Sequence, residues 1–120
     1  MAQLNRLVLY VRDVPATIAF YERHFGYVAH PEPGDRIIEL AHPEGGASLM
    51  IYQAAKAQKM GQVLVKLVFD IADVPAFCAA AAADGLSFGP IHAAEGYHYA
   101  NAKDPSGNAI SVSSRAFRPR

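Results

Sequence analysis

The sequence predicts an α+β fold in which one βαβββ unit occurs twice, and three observations carry that prediction. The first is an internal repeat: Leu4–Phe20 (LNRLVLYVRDVPATIAF) and Leu64–Ala80 (LVKLVFDIADVPAFCAA) lie sixty positions apart in a chain of 120, and eight of the 17 aligned pairs are identical. Such self-similarity means that one supersecondary unit was used twice, so each position can be judged against its twin. The second is that both copies pass from a strand-like apolar run into Asp-Val-Pro-Ala, a helix start. The third is a pair of related turns, His42-Pro43-Glu44-Gly45-Gly46 and Asp104-Pro105-Ser106-Gly107-Asn108, at matching places near the end of each copy.

Each element follows in order. Arg6 to Val11 and Lys66 to Ile71 are rich in β-branched residues and leucine and read as strands. Asp13 and Asp73 stand two residues before a proline, the arrangement of an N-cap with Pro early in the first turn. The first helix runs through Phe20-Tyr21-Glu22-Arg23 and stops near Gly26; the second is carried by an alanine run and stops near Gly85. Strands are then expected at Tyr27 to His30, Ile37 to Ala41 and Ser48 to Tyr52, and again at Leu86 to Phe88, Tyr97 to Ala102 and Ala109 to Ser113. Pro followed two places on by Gly marks the tight turns between the last two strands of each copy. The chain is thus one domain, 1–120, with a first module at 1–53, a polar linker at 54–62, a second module at 63–115 and a loose tail at 116–120.

Composition narrows the function classes. Eleven basic and eleven acidic side chains cancel, so no basic field recruits nucleic acid or an anionic membrane. The longest apolar stretch, Val74 to Ala83, lies between Asp73 and Asp84 and is too short to span a bilayer. No signal-peptide pattern opens the chain, and the single cysteine, Cys78, has no partner for a disulfide, which together predict a cytoplasmic protein. Cys78 has no basic neighbour and is not expected to act as a nucleophile.

Paired βαβββ modules, the strand–Asp–Val–Pro–helix start, the helix end Phe20-Tyr21…Phe25-Gly26-Tyr27 and the Asp-Pro-Ser-Gly-Asn turn together resemble the vicinal oxygen chelate superfamily. That group contains glyoxalase I, extradiol dioxygenases, methylmalonyl-CoA epimerase and the bleomycin- and fosfomycin-resistance proteins. The resemblance covers nearly the whole chain. It implies a curved mixed sheet in each module, two modules enclosing a cup for a ligand, and a homodimer; exposed edges of eight strands also call for cover.

Strand alternation then separates two faces. Leu7, Leu9 and Val11, with Leu67, Phe69 and Ile71, should meet the helices. Arg6, Val8 and Tyr10, and Lys66, Val68 and Asp70, should face the cup. Ser48, Met50 and Tyr52 line it from the first module, Ser111 and Ser113 from the second. Turn alignment adds Ile37 and Glu39, and Tyr99 and Asn101. The ligand-binding candidates are therefore Arg6, Tyr10, Glu39, Met50, Tyr52, Lys66, Asp70, Tyr99, Asn101 and Ser111, and no catalytic residue is assigned.

Metal-dependent members of the superfamily hold an ion with His or Gln on each first strand and Glu on each last strand. Carried onto this chain, those positions are Arg6 and Lys66, and Met50 and Ser111. Two cations, a soft thioether and a hydroxyl make a poor set for a divalent ion, so no metal and no other cofactor is expected. Arg6 and Lys66 instead suggest an anionic or oxygen-rich ligand group, with structural ion pairs to Glu39 or Asp70 as the alternative.

His24, His30, His42, His92 and His98 show none of the spacings of known metal motifs. His24 is expected on an exposed helix face and His42 at the turn position that Asp104 holds in the second copy; His92 and His98 flank Gly96 before a strand, where a cup-entrance loop would lie, and His98 is the one candidate acid–base group. Tyr10, Tyr52, Tyr97 and Tyr99 offer an aromatic lining, or ordinary core. The leading reading is a glyoxalase/bleomycin-resistance-like protein that binds a small anionic or aromatic compound. Two others stand beside it: a lyase or dioxygenase of the same superfamily with a displaced metal site built from His98, Glu39 or Tyr99, and a non-catalytic interaction module whose cup is filled by its own side chains.

Overall fold

Asp13 and Asp73 cap the two helices in the same way, each accepting a hydrogen bond of 3.0 Å at Oδ1 from the backbone N–H three residues on, Ala16 and Ala76. In the computed structural model, which describes residues 1–119, the chain forms two compact units, 1–60 and 61–120. The first contains β1 (Arg6–Val11), α1 (Val14–Phe25), β2 (Val28–His30), β3 (Ile37–Ala41) and β4 (Ser48–Gln53). The second contains β5 (Lys66–Asp70), α2 (Val74–Ala83), β6 (His92–Ala94), β7 (Tyr97–Lys103), β8 (Ala109–Ser113) and a 3-10 turn at Arg115–Phe117.

Both units have the same topology: a four-stranded mixed sheet, ordered β1-β4-β3-β2 in the first and β5-β8-β7-β6 in the second. The helix carries the chain from the first strand to the second at the far edge of the sheet, and two hairpins bring the fourth strand back beside the first, parallel to it; the other neighbours are antiparallel. No helix among the described residues is long and apolar enough to cross a membrane.

The core lies between each helix and one face of its sheet. Thr17, Tyr21 and Phe25, one helical turn apart, bury the inner side of α1 against a face that holds Val11, Leu40, Leu49 and Ile51. Val74 and Ala81 do the same for α2 over Leu67, Ala100, Ile110 and Val112. Gly26 ends α1 at a φ of 73°, a left-handed position that glycine takes without steric cost.

Tyr27, at the foot of α1, is buried and its hydroxyl donates to the Ala47 carbonyl at 3.2 Å. Burial pushes this phenol above its ordinary value of 10.0. The unfolded chain therefore gives up the proton first as pH rises, and stability falls in the window that begins at the unfolded value. Burial raises the Cys78 thiol too, so it adds to the same downward slope from its own ordinary value of 9.0. Tyr27→Phe is expected to flatten the alkaline limb of a urea-midpoint profile taken from about pH 8 to pH 11. An identical limb in wild type and variant would remove the phenol from the explanation.

Three expectations are corrected. Leu86 to Phe88 is not a strand: the Leu86 N–H turns back to the Ala81 carbonyl (2.8 Å), and Leu86 itself enters the core. Phe88 packs edge-on against Phe77 at 6.0 Å. Two apolar side chains here serve the helix, Pro90 lacks an N–H to donate, and pairing with β7 as a strand begins only at His92. His92 is not in a loop but in β6, paired with Tyr99; His98 lies in β7, within the strand expected at Tyr97 to Ala102, and a tight turn at Glu95 and Gly96 joins the two strands. The expected loose tail begins instead with the 3-10 turn, from which Arg115 and Arg118 reach back to Tyr97; Arg120 lies outside the described residues.

The segment expected as a linker starts tied to the first unit. Arg12 donates to the carbonyls of Ala55 (3.2 Å) and Gln58 (2.6 Å), and Gln53 Nε2 donates back to the Arg12 carbonyl at 3.0 Å.

Candidate functional site

In the first unit, register sets Arg6, Val8 and Tyr10 of β1 opposite Ser48, Met50 and Tyr52 of β4. Glu39 of β3 stands opposite Met50, and His30 of β2 opposite Glu39. All share the sheet face away from α1. Arg6 reaches diagonally over β4 to Glu39, Nε to Oε1 at 3.6 Å, with the two side chains 62% and 32% exposed. So open a pair contributes only ~0–1 kcal/mol and can be displaced by a ligand group at little cost. Tyr10 and Tyr52 meet edge to face with ring centres 5.7 Å apart.

The second unit repeats the diagonal with a different partner. Lys66 and Val68 of β5 stand opposite Ala109 and Ser111 of β8, and Asn101 and Tyr99 of β7 opposite Ser111 and Ser113. Lys66 Nζ donates to Asn101 Oδ1 at 2.9 Å and lies 6.0 Å from the centre of the Tyr99 ring. Where Arg6 meets a carboxylate, Lys66 meets a neutral amide and the face of an aromatic ring. Its charge is softened by dipole and quadrupole rather than cancelled. Asp70 shares the strand face but sits four residues along β5, roughly 13 Å away at the rise of a strand. That exceeds a physiological screening length of about 8 Å.

Ser111 shares this face but is closed over, 3% exposed, with its hydroxyl donating to the Ala100 carbonyl at 3.0 Å. Ser113 is buried as well. By contrast Val8, Tyr10 and Val68 remain 44%, 48% and 56% exposed, an apolar allowance on the two helix-free faces that their own units do not bury.

Three residues that sequence reasoning left out of the site, His92, Arg115 and Arg118, extend the second face together with Tyr97, which it had offered as lining or core. The His92 ring lies 5.0 Å from Tyr99, and Tyr97 lies 6.3 Å from Tyr99. Arg115 Nη1 donates to the Tyr97 hydroxyl at 3.0 Å, with its guanidinium carbon 5.3 Å from the Tyr97 ring centre, and Arg118 approaches the same ring at 5.5 Å. Alternation along β7 does place Tyr97 beside Tyr99. No local signal announces the two arginines, because their positions depend on how the chain turns after β8.

His98 is removed from the site. It pairs with Ala93 across β6, so its side chain lies on the sheet face opposite to Tyr99 and cannot join it in a displaced metal centre. His24 is only half-exposed, its ring 5.0 Å from Phe20. His42 does hold the Asp104 position: its Nδ1 accepts from the Glu44 N–H at 3.1 Å, as Asp104 Oδ1 accepts from Ser106 at 2.9 Å. Among the described residues no group of three or more His, Cys, Asp or Glu is arranged to hold a metal ion.

Two βαβββ units, each with a helix on one sheet face and an open face of polar and aromatic side chains on the other, define a protein of the paired-module α+β class. The chain belongs to the glyoxalase/bleomycin resistance protein/dioxygenase superfamily, whose sequence model matches residues 3–112. It is similar in structure to TnmS3, an antibiotic-binding protein from Streptomyces sp. CB03234, at 21% identity and a TM-score of 0.76 over 93% of this chain and 94% of that one. A protein from the mobile metagenome of V. pseudocholerae is 26% identical, with a TM-score of 0.72 over 94% of each chain. Lactoylglutathione lyase from Agrobacterium tumefaciens is 17% identical, with a TM-score of 0.72 over 94% and 93% of the two chains. No curated protein matches the sequence.

Proposed function

We propose that this protein binds a small anionic or aromatic compound on its helix-free sheet faces, and that it does so without a divalent ion at the superfamily's usual positions. One observation carries the reading: Lys66 keeps an ammonium on an open face beside Tyr99, held only by the amide of Asn101, with no ion pair among the described residues. A cation next to a half-exposed aromatic ring and the exposed Val68 suits a ligand with an oxyanion and a flat apolar body. The donors at the four carried-over positions do not fit a divalent cation. Arg6 and Lys66 repel it, the Met50 thioether is too soft, and the Ser111 hydroxyl is a weak neutral donor closed over at 3% exposure. The description of TnmS3 as antibiotic-binding supports a binding role, and the exposure of Val8, Tyr10 and Val68 argues against faces filled by their own side chains. We take the working form to be a homodimer. β1 and β5 are edge strands, and Val63, Leu64 and Val65 just before β5 are 67%, 101% and 56% exposed.

Thermal-shift screening against small acids, catechols, glutathione adducts and glycopeptide antibiotics, with and without divalent ions, tests the reading. Acidic hits are expected to bind equally well after chelation, and Lys66→Met to weaken them roughly tenfold or more, the worth of a hydrogen bond to a charged group. Arg6→Met should matter less, since Glu39 already neutralises Arg6. A null across the panel, or acid binding indifferent to Lys66, would sink the proposal.

A further inference from the structure

The second unit carries more cation than its neutral composition requires. Lys66, Arg115 and Arg118 all contact the rings of a single tyrosine pair, Tyr99 and Tyr97, and among the described residues none of the three is ion-paired. Arg115 and Arg118 come from the segment after β8, where exposed arginines would ordinarily extend into water. Here both are drawn onto Tyr97, one of them also tied to its hydroxyl. Cation–π contacts at exposed sites are worth only ~0.5–1 kcal/mol. The arrangement is therefore a resting place for two guanidinium groups rather than a structural lock.

We propose that Arg115 and Arg118 form an oxyanion clasp on Tyr97, and that the preferred ligand is an aromatic oxyanion. Its carboxylate or phosphate is taken by the two guanidinium groups, and its ring lies along Tyr97, Tyr99 and His92. The planar fork of arginine offers two parallel donors to either oxyanion. Both cations can reach one group because they start from one ring, and the three aromatic side chains supply stacking surface beside it. Electrostatics separate this face from that of the first unit, where Arg6 is met by Glu39. The clasp rests on the binding reading above and adds to it the end of the site that holds the charge.

The test compares naphthalene-2-carboxylate, 2-naphthyl phosphate and the neutral naphthalen-2-ylmethanol by titration calorimetry on the full chain. At least one oxyanion is expected to bind roughly tenfold or more tightly than the alcohol. Arg115→Gln with Arg118→Gln should remove most of that preference, the remainder resting on Lys66, and weaken the oxyanion far more than the alcohol. Tyr97→Phe, which keeps the ring and removes the hydroxyl, should retain most of it. Amide resonances of Tyr97 and of residues 114–118 are expected to shift on adding the oxyanion in the wild type, and an unchanged melting temperature in the double variant excludes a folding defect.

The outcomes are separable. If the preference for an oxyanion survives the double variant and disappears in Lys66→Met, the clasp is wrong and the binding reading stands. Equal affinity for acid and alcohol in the wild type also overturns the clasp alone. If none of the three naphthalenes binds, the clasp falls, and the binding reading stands or falls on the screening panel.

Discussion

Replacing Ile110 with Ala is expected to destabilise the protein by about 2–5 kcal/mol. Ile110 has no exposed surface, lies on β8 between β5 and β7, and stands opposite Leu67 on one side and Ala102 on the other. The loss combines the transfer energy of the deleted groups with that of the cavity left behind, and the second term depends on whether neighbours can move in. They cannot do so easily here. Ala102 has no rotamer to offer, and the helix over this face presents Ala81 at its buried position. The result should fall in the upper part of the range, while Ile110→Val should cost only about 0.5–1.5 kcal/mol. Urea unfolding reads both, with an unchanged slope as the sign that only stability moved. A loss below about 1 kcal/mol for the alanine variant would mean that the second unit's core is far looser than its burial implies.

Asp104→Ala is expected to cost about 2–4 kcal/mol by a different route. Asp104 is 5% exposed, and its carboxylate accepts from the N–H groups of Ser106 and Asn108 through Oδ1 and from Asn108 Nδ2 through Oδ2, each at 2.9 Å. Alanine leaves these donors without their acceptor in a turn where Ser106 is also buried. Asp104→Asn should cost much less. Its amide oxygen can still accept the two backbone N–H groups, and the Asn108 amide can turn over to present its own oxygen. The twin position supplies the control. His42 accepts from Glu44 and meets the Phe25 carbonyl through Nε2 at 2.8 Å, so in this geometry Nδ1 is the acceptor and Nε2 carries the proton. His42→Ala should be milder than Asp104→Ala, because Glu44 is exposed and water can replace the lost acceptor. Equal losses at the two sites would show that the turn backbone, not the buried acceptor, sets the cost.

The chain disclosed its repeat, its helix caps and most of its strands because those features are local. Asp13 and Asp73 carry their caps within three residues, and glycine at position 26 is enough to stop a helix. Alternation placed Arg6, Tyr10, Met50 and Tyr52 on one face, and the observed register aligns them so. It placed Lys66, Tyr99, Asn101 and Ser111 together in the same way. Alternation failed where an apolar pair had two uses. Leu86 and Phe88 read as strand, yet a helix lined with alanine needed their bulk more than the sheet needed their hydrogen bonds. The strand at His92 was missed for another reason: glycine at 96 suggested a loop and in fact makes a tight turn between strands.

What the sequence by itself determined is the architecture: duplicated local signals repeat whatever the surroundings, and period two sorts side chains to faces without knowledge of any neighbour. Only the tertiary structure decided which charges meet. Glu39 reaches Arg6 and Asn101 reaches Lys66 across an intervening strand, and Arg115 and Arg118 fold back from beyond β8 onto Tyr97. Those contacts join residues 33, 35, 18 and 21 positions apart. Partnership at that range is set by strand register and by the path of the chain, and neither is written in the identity of any single residue.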